Sequence, residues 1–202
     1  MPHLAKRIAL QDFTLYFKLG IEHILDWQGY DHILFMMALC GVYTWEDWRK
    51  IIVLVTAFTI GHSLTLALSV LNYLPMAMPL IEFLIPVTII FTTLANILQN
   101  KHTPRNQSLI YLLALLFGLI HGLGFSYYLK SLLGSEIIFQ LLAFNIGLEI
   151  GQLVIVFFTL ILTFFIINLF NVNRRDWTLF LSAAIFGIAL TMALSRVNPL
   201  LS

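Results

Sequence analysis

The sequence predicts an all-α, polytopic bundle of about six membrane-spanning helices, from its composition, its long apolar runs and the polar breaks between them. Of 202 residues, 60% are hydrophobic and only 10% charged, whereas a soluble domain carries about 25% charge. So few polar side chains cannot cover a water-exposed globule, and a chain in lipid satisfies its backbone only as helices or a closed barrel. The apolar runs approach the roughly 20 residues that a helix needs to cross hydrocarbon. A single membrane domain over 1–202 follows, without a separate soluble domain.

Residues 8–28 read as an amphipathic lead-in helix at the interface, or as the first turns of a long first span. Lys18, Glu22 and His23 interrupt that stretch, so it lacks the clean apolar core of a signal peptide, and no removable leader is expected. The first span is expected over 29–44, ending where Trp45, Glu46, Asp47 and Trp48 mix aromatics with charge. The second covers 51–71 and stops at the turn residues Asn72 and Pro75; the third covers 79–98, before a polar stretch with Asn100 and Pro104. The fourth runs 109–129, and the fifth runs from 137 to at least 160 with enough apolar sequence to continue to 170. The sixth is 178–194, after the polar turn 171–176.

Formal net charge is +1, which gives no electrostatic footprint for nucleic acid. Cys40 is the only cysteine, which excludes an intramolecular disulfide and a thiolate-rich metal site. With six spans, Arg49, Lys50, Lys101, Arg105, Arg174 and Arg175 share one side, while Lys130 and Arg196 lie on the other with Lys6, Arg7 and Lys18 of the tail. Basic residues in short loops favour the cytoplasm. The loops therefore place both termini outside, against the pull of the basic tail.

Function is signalled by the polar residues inside the spans. Asp31, His32, His62, Glu82, His121 and Glu149 fall within them, and no lysine or arginine shares those segments. Ionisable groups at membrane depth are costly and mark function by default. A carboxylate without a basic partner recruits a cation or a proton, and imidazole with carboxylate suits nickel, zinc, iron or manganese. Counting helical rise, His62, His121 and Glu149 reach similar depths, with Asp31 and His32 in the outer half of the first span. The expected metal ligands are His32, His62, His121, Asp31 and Glu149, with Asp31 able instead to orient the neighbouring imidazole.

Asn145, Glu149 and Gln152 follow i, i+4, i+7 spacing along one helical stripe, and Asn145, Gln152, Glu82 and His23 are expected as supporting residues. Asn145 and Gln152 alone read as packing hydrogen bonds. Glu82 lies near a span end, and His3 and His102 read as solvated. A single membrane histidine often serves only to bond a neighbouring backbone; the joint occurrence of three with two carboxylates favours a site. Gly118 and Gly122 share a face with His121 and permit close helix approach.

Three histidines and a carboxylate also suit zinc with one open position for water. An intramembrane zinc-dependent hydrolase or acyltransferase acting on a lipid or lipoprotein is therefore the alternative, with Glu149 or Asp31 as base and Ser63 at an oxyanion. A sensor or assembly factor that binds ions without moving them uses the same residues.

Four stretches together resemble the second branch of the HupE/UreJ family of bacterial membrane proteins. They are Gly29-Tyr30-Asp31-His32-Ile33-Leu34-Phe35, Phe58-Thr59-Ile60-Gly61-His62-Ser63-Leu64-Thr65-Leu66, Phe117-Gly118-Leu119-Ile120-His121-Gly122-Leu123-Gly124-Phe125 and Phe144-Asn145-Ile146-Gly147-Leu148-Glu149-Ile150-Gly151-Gln152. Their order on successive hydrophobic segments covers most of the chain. The resemblance implies a divalent-metal permease of a bacterial inner membrane, carrying nickel or cobalt toward hydrogenase or urease maturation proteins. It places Asp31, His32, His62, His121 and Glu149 on the family's polar motif positions, and Ile81, Glu82 and Asn96 on its third-span motif. Pro86 stands where that motif has a small residue. Nickel permeases more broadly carry a histidine a few residues before the Asp-His pair; here Asp26 stands near that place and His23 lies further upstream.

Overall fold

The computed structural model describes residues 2–74, 78–99, 106–132 and 137–201, and all of its regular structure is helical. The elements are α1 (Pro2–Leu25), α2 (Asp31–Cys40), a 3-10 turn (Trp45–Asp47), α3 (Trp48–Val70), α4 (Met78–Leu98), α5 (Gln107–Leu132), α6 (Ile137–Phe164), a π-helical extension of α6 (Phe165–Leu169), α7 (Arg174–Ser195) and α8 (Val197–Leu201). Five segments are long and apolar enough to cross a membrane: Trp45–Val70, Met78–Leu98, Gln107–Ser126, Ile137–Leu169 and Arg174–Pro199. The span expected at 29–44 is the ten-residue α2, about half the length needed to cross alone. The turn residue Pro75 and the polar stretch 100–105, His102 among them, lie outside the described residues, as do the side chains of His3, Lys6 and Arg7.

Glycine decides which helices touch. A Cβ on Gly61, Gly118 or Gly122 would stand 2.2 Å from the carbonyl oxygen of Leu115, Phe58 or His62 respectively. Only hydrogen lets α3 and α5 meet backbone to backbone, the same small-residue logic that drives helix association in lipid. Phe58 meets Gly118 and His62 meets Gly122, so the two helices run parallel. A second pair is made the same way: a Cβ on Gly147 of α6 would lie 2.0 Å from the Phe17 carbonyl oxygen of α1. The lead-in is therefore a long helix packed along α6, and it ends where Asp26 Oδ1 accepts the Gln28 N–H at 2.9 Å in a side-chain turn.

Arginine holds the third pair, α4 with α7, at both ends. Pro86 lies inside α4 and has no N–H, so the carbonyl of Glu82, four residues earlier, loses its helical donor. Arg196, just past α7, fills the vacancy: its Nη1 donates to Glu82 O at 2.8 Å. At the other end Arg175 Nη1 donates to Asn96 O at 2.8 Å and Nη2 to Ile97 O, satisfying carbonyls that a helix C-terminus leaves unpaired.

The bundle thus has two chemically distinct ends. Arg174 donates to Val42 O at 2.7 Å and lies 3.5 Å from Asp47, which also pairs with Lys50 at 2.6 Å. Arg49 beside them and Arg175 make this the basic end. At the opposite end Lys130 bonds Asn72, and Arg196 stands over Asp31. Between the ends Phe35, Phe58, Phe144 and Leu54 are fully buried.

Candidate metal centre

His23 near the end of α1, His32 at the start of α2 and His62 in the middle of α3 converge, with one ring nitrogen of each within 4.8 Å of the others. His121 of α5 stands beside them, its ring centroid 5.0 Å from that of His32. His62 and His121 are wholly inaccessible, and Asp31 and His32 are buried. His23, His32 and His121, with His62 enclosed behind them, lie at the bottom of a cleft of about 390 Å³ at the end opposite the basic one, walled by Asp26, Asp31, Glu82, Gly124, Phe125 and Arg196.

Hydrogen bonding fixes which nitrogens are free. Asp31 Oδ1 lies 3.0 Å from His32 Nδ1 and also accepts the His32 backbone N–H at 2.9 Å. A neutral ring that donates from Nδ1 keeps its lone pair on Nε2, and His32 Nε2 is buried without a partner among the described residues. In α4 the Thr88 hydroxyl donates to Ile85 O at 2.7 Å. That leaves its oxygen to accept from His121 Nε2, 3.1 Å away. The lone pair of His121 therefore sits on Nδ1, which is likewise buried and unpartnered. His23 Nε2 and both nitrogens of His62 are in the same state. His23 is further held by Phe125, with ring centroids 3.8 Å apart.

Three imidazoles thus bring unsatisfied nitrogens to one place inside an apolar bundle, and His121, with its own unpartnered Nδ1, stands beside them. A buried polar atom without a partner costs about 1–3 kcal/mol. A divalent ion would relieve several such costs together, so the donor set fits a transition metal held by nitrogen. With an ion bound, Asp31 would be the carboxylate that orients and polarises His32. Asp31→Asn is expected to lower metal affinity by about 10- to 100-fold with little change in fold, which isothermal titration and circular dichroism would check.

For Asp31 the structure corrects the premise that the carboxylates lack a basic partner: Arg196 Nη2 lies 3.6 Å from Asp31 Oδ2. Pro86, which frees the Glu82 carbonyl, is what draws Arg196 there. His23 was expected only as a supporting residue, yet it belongs to the convergent group. The legible signal was the break at Asp26 and Gly29, which turns the chain back so that α1 ends beside the start of α2. Thr88 carried no signal, since a threonine inside an apolar helix ordinarily bonds its own backbone.

Glu149 is placed elsewhere. Its carboxylate accepts from Thr56 Oγ1 at 2.7 Å, between α6 and α3, and it does not wall the cleft. Gln152 Oε1 one turn on accepts from Thr59 Oγ1 at 2.7 Å, while Gln152 Nε2 and Asn145 Oδ1 are buried without partners among the described residues. Glu82 is exposed at the rim. Ser63 Oγ donates to Thr59 O at 2.6 Å within its own helix.

Long apolar helices, arranged around a polar cleft with a buried imidazole cluster, define a polytopic integral membrane protein. The chain matches the family described as HupE / UreJ protein over residues 3–196, nearly its whole length, and it belongs to that family. No curated protein and no solved structure matches it.

Proposed function

We propose that this chain is a permease for a divalent transition-metal ion, nickel or cobalt in the first place, with zinc as the competing cargo. The observation that carries the reading is the set of buried imidazole nitrogens without partners at the floor of an end-opening cleft. An incoming ion exchanges water for His23, His32, His62 and His121, and the cleft walls of Asp26, Asp31 and Glu82 attract it. The family's link with nickel and cobalt supports the choice of cargo and a role in supplying metalloenzyme maturation proteins in a bacterial inner membrane. Arg49, Lys50, Arg174 and Arg175 gather at the end away from the cleft, which by the positive-inside rule is the cytoplasmic one. The cleft and both termini then face outward.

The hydrolase alternative has less support. Of its candidate base and oxyanion residues, Glu149 and Ser63 are engaged with Thr56 and Thr59 and do not wall the cleft, and Asp31, which does, is paired with His32 and Arg196. The deciding experiment loads purified protein into liposomes and follows nickel, cobalt and zinc entry with a trapped indicator. Entry that saturates with ion concentration supports the permease; wild-type vesicles no more permeable than empty ones would remove it.

A further inference from the structure

A second cavity, of about 180 Å³, lies toward the basic end and is lined by Leu39, Phe91, Thr92, Asn96, Gln99 and Phe117 among others. The helices that line it, α2, α4 and α5, also contribute to the wall of the histidine cleft. In α4, Ile85 faces the cleft and Thr92 the cavity, seven residues or about 10 Å apart. In α2 the same interval separates His32 from Leu39, and in α5 only one turn separates His121 from Phe117. The layer between is thin and aromatic. Phe35 packs 5.1 Å from the His121 ring and 5.9 Å from Phe117, measured between centroids.

We propose that the second cavity is the exit half of one route for a divalent cation, and that Phe117 with Phe35 is the barrier closing it. This rests on the permease reading. The α4 face supplies a polar track past the barrier. Thr88 holds His121, Thr92 donates to Thr88 O at 2.8 Å, and Asn96 follows one turn later, where its Nδ2 donates to Ala38 O at 2.7 Å. Those oxygens suit a partly hydrated cation leaving its nitrogen ligands. An apolar constriction stops an ion because it cannot carry its water through. Phe117 is the movable half: it is partly exposed and rests edge-on against Phe91, itself open to lipid at 54% exposure. Phe35 is wholly buried against Phe58, with centroids 5.1 Å apart.

The test places a single cysteine at Thr92→Cys in a Cys40→Ala background, in oriented vesicles, with a small membrane-impermeant cationic thiol reagent added to one side at a time. The reagent is expected to reach position 92 only from the basic end. Adding Phe117→Ala should raise its rate from the cleft end about tenfold, as lowering a barrier by about 1.4 kcal/mol does. Nickel entry should rise in parallel, and Asn96→Leu should slow it while leaving nickel affinity by titration unchanged. Phe117→Leu keeps most of the volume and guards against a misfolded alanine variant; it should give an intermediate rate. Position 92 unreactive from the cleft end in both Phe117 variants, in protein that still binds nickel, would overturn the proposal. The expected labelling without nickel entry in any protein would support the route while removing the permease reading.

Discussion

His62→Ala is expected to strip the protein of its transition metal, lowering affinity by on the order of 100-fold or more, beyond what loss of an orienting partner costs. Elemental analysis of the purified protein and a nickel titration would measure it. His62 has the largest expected effect because both of its ring nitrogens are buried and unpartnered. It is also the member wholly enclosed on α3, where no backbone adjustment offers a substitute donor. His62→Gln, which keeps polarity but offers no imidazole, should fail likewise. Retention of metal at the wild-type stoichiometry in both variants would show that the remaining histidines hold the ion without it.

Gly122→Leu should be nearly as damaging, by a mechanical route. A Cβ at this position would sit 2.2 Å from the His62 carbonyl oxygen and 2.4 Å from Thr65 Oγ1, so α3 and α5 must part. Overpacking of this kind costs about 1–3 kcal/mol or more. It also separates His62 from His121. Thermal unfolding in detergent should shift downward, and nickel affinity should fall even in whatever protein stays folded. Gly187→Leu is the control, because a Cβ there meets nothing within 4 Å. Equal behaviour of the two variants would defeat the close-approach argument.

Much of this was readable in advance, for physical reasons specific to each element. The long spans announced themselves because hydrocarbon tolerates only long apolar helices, and α4 to α7 lie where the apolar runs do. Residues 29–44 are mostly apolar but hold only the ten-residue Asp31–Cys40, which is capped at Gly41, whose added Cβ would stand 2.4 Å from Leu181 Cδ2. Depth alone put His62 and His121 near one another with His32 in the outer half of its helix, and the rings of His62 and His121 lie 6.1 and 5.0 Å from that of His32. Glu149 shared that depth, but it lies on the side of α6 that meets Thr56, and relative helix rotation is a tertiary property that spacing within one helix cannot report. Arg196 escaped notice because its contacts follow from Pro86 more than a hundred residues earlier.

The two glycine-locked pairs have a mechanical corollary. His62 and His121 ride on α3 and α5, which are clamped into one stiff body; His23 rides on α1, clamped to α6, and His32 on the short α2 that follows it. The nitrogen cage is therefore assembled across a seam, half from each side. On the metal-binding proposal, sliding one body past the other would pull the imidazoles of the two halves apart, so ion grip and bundle posture would vary together.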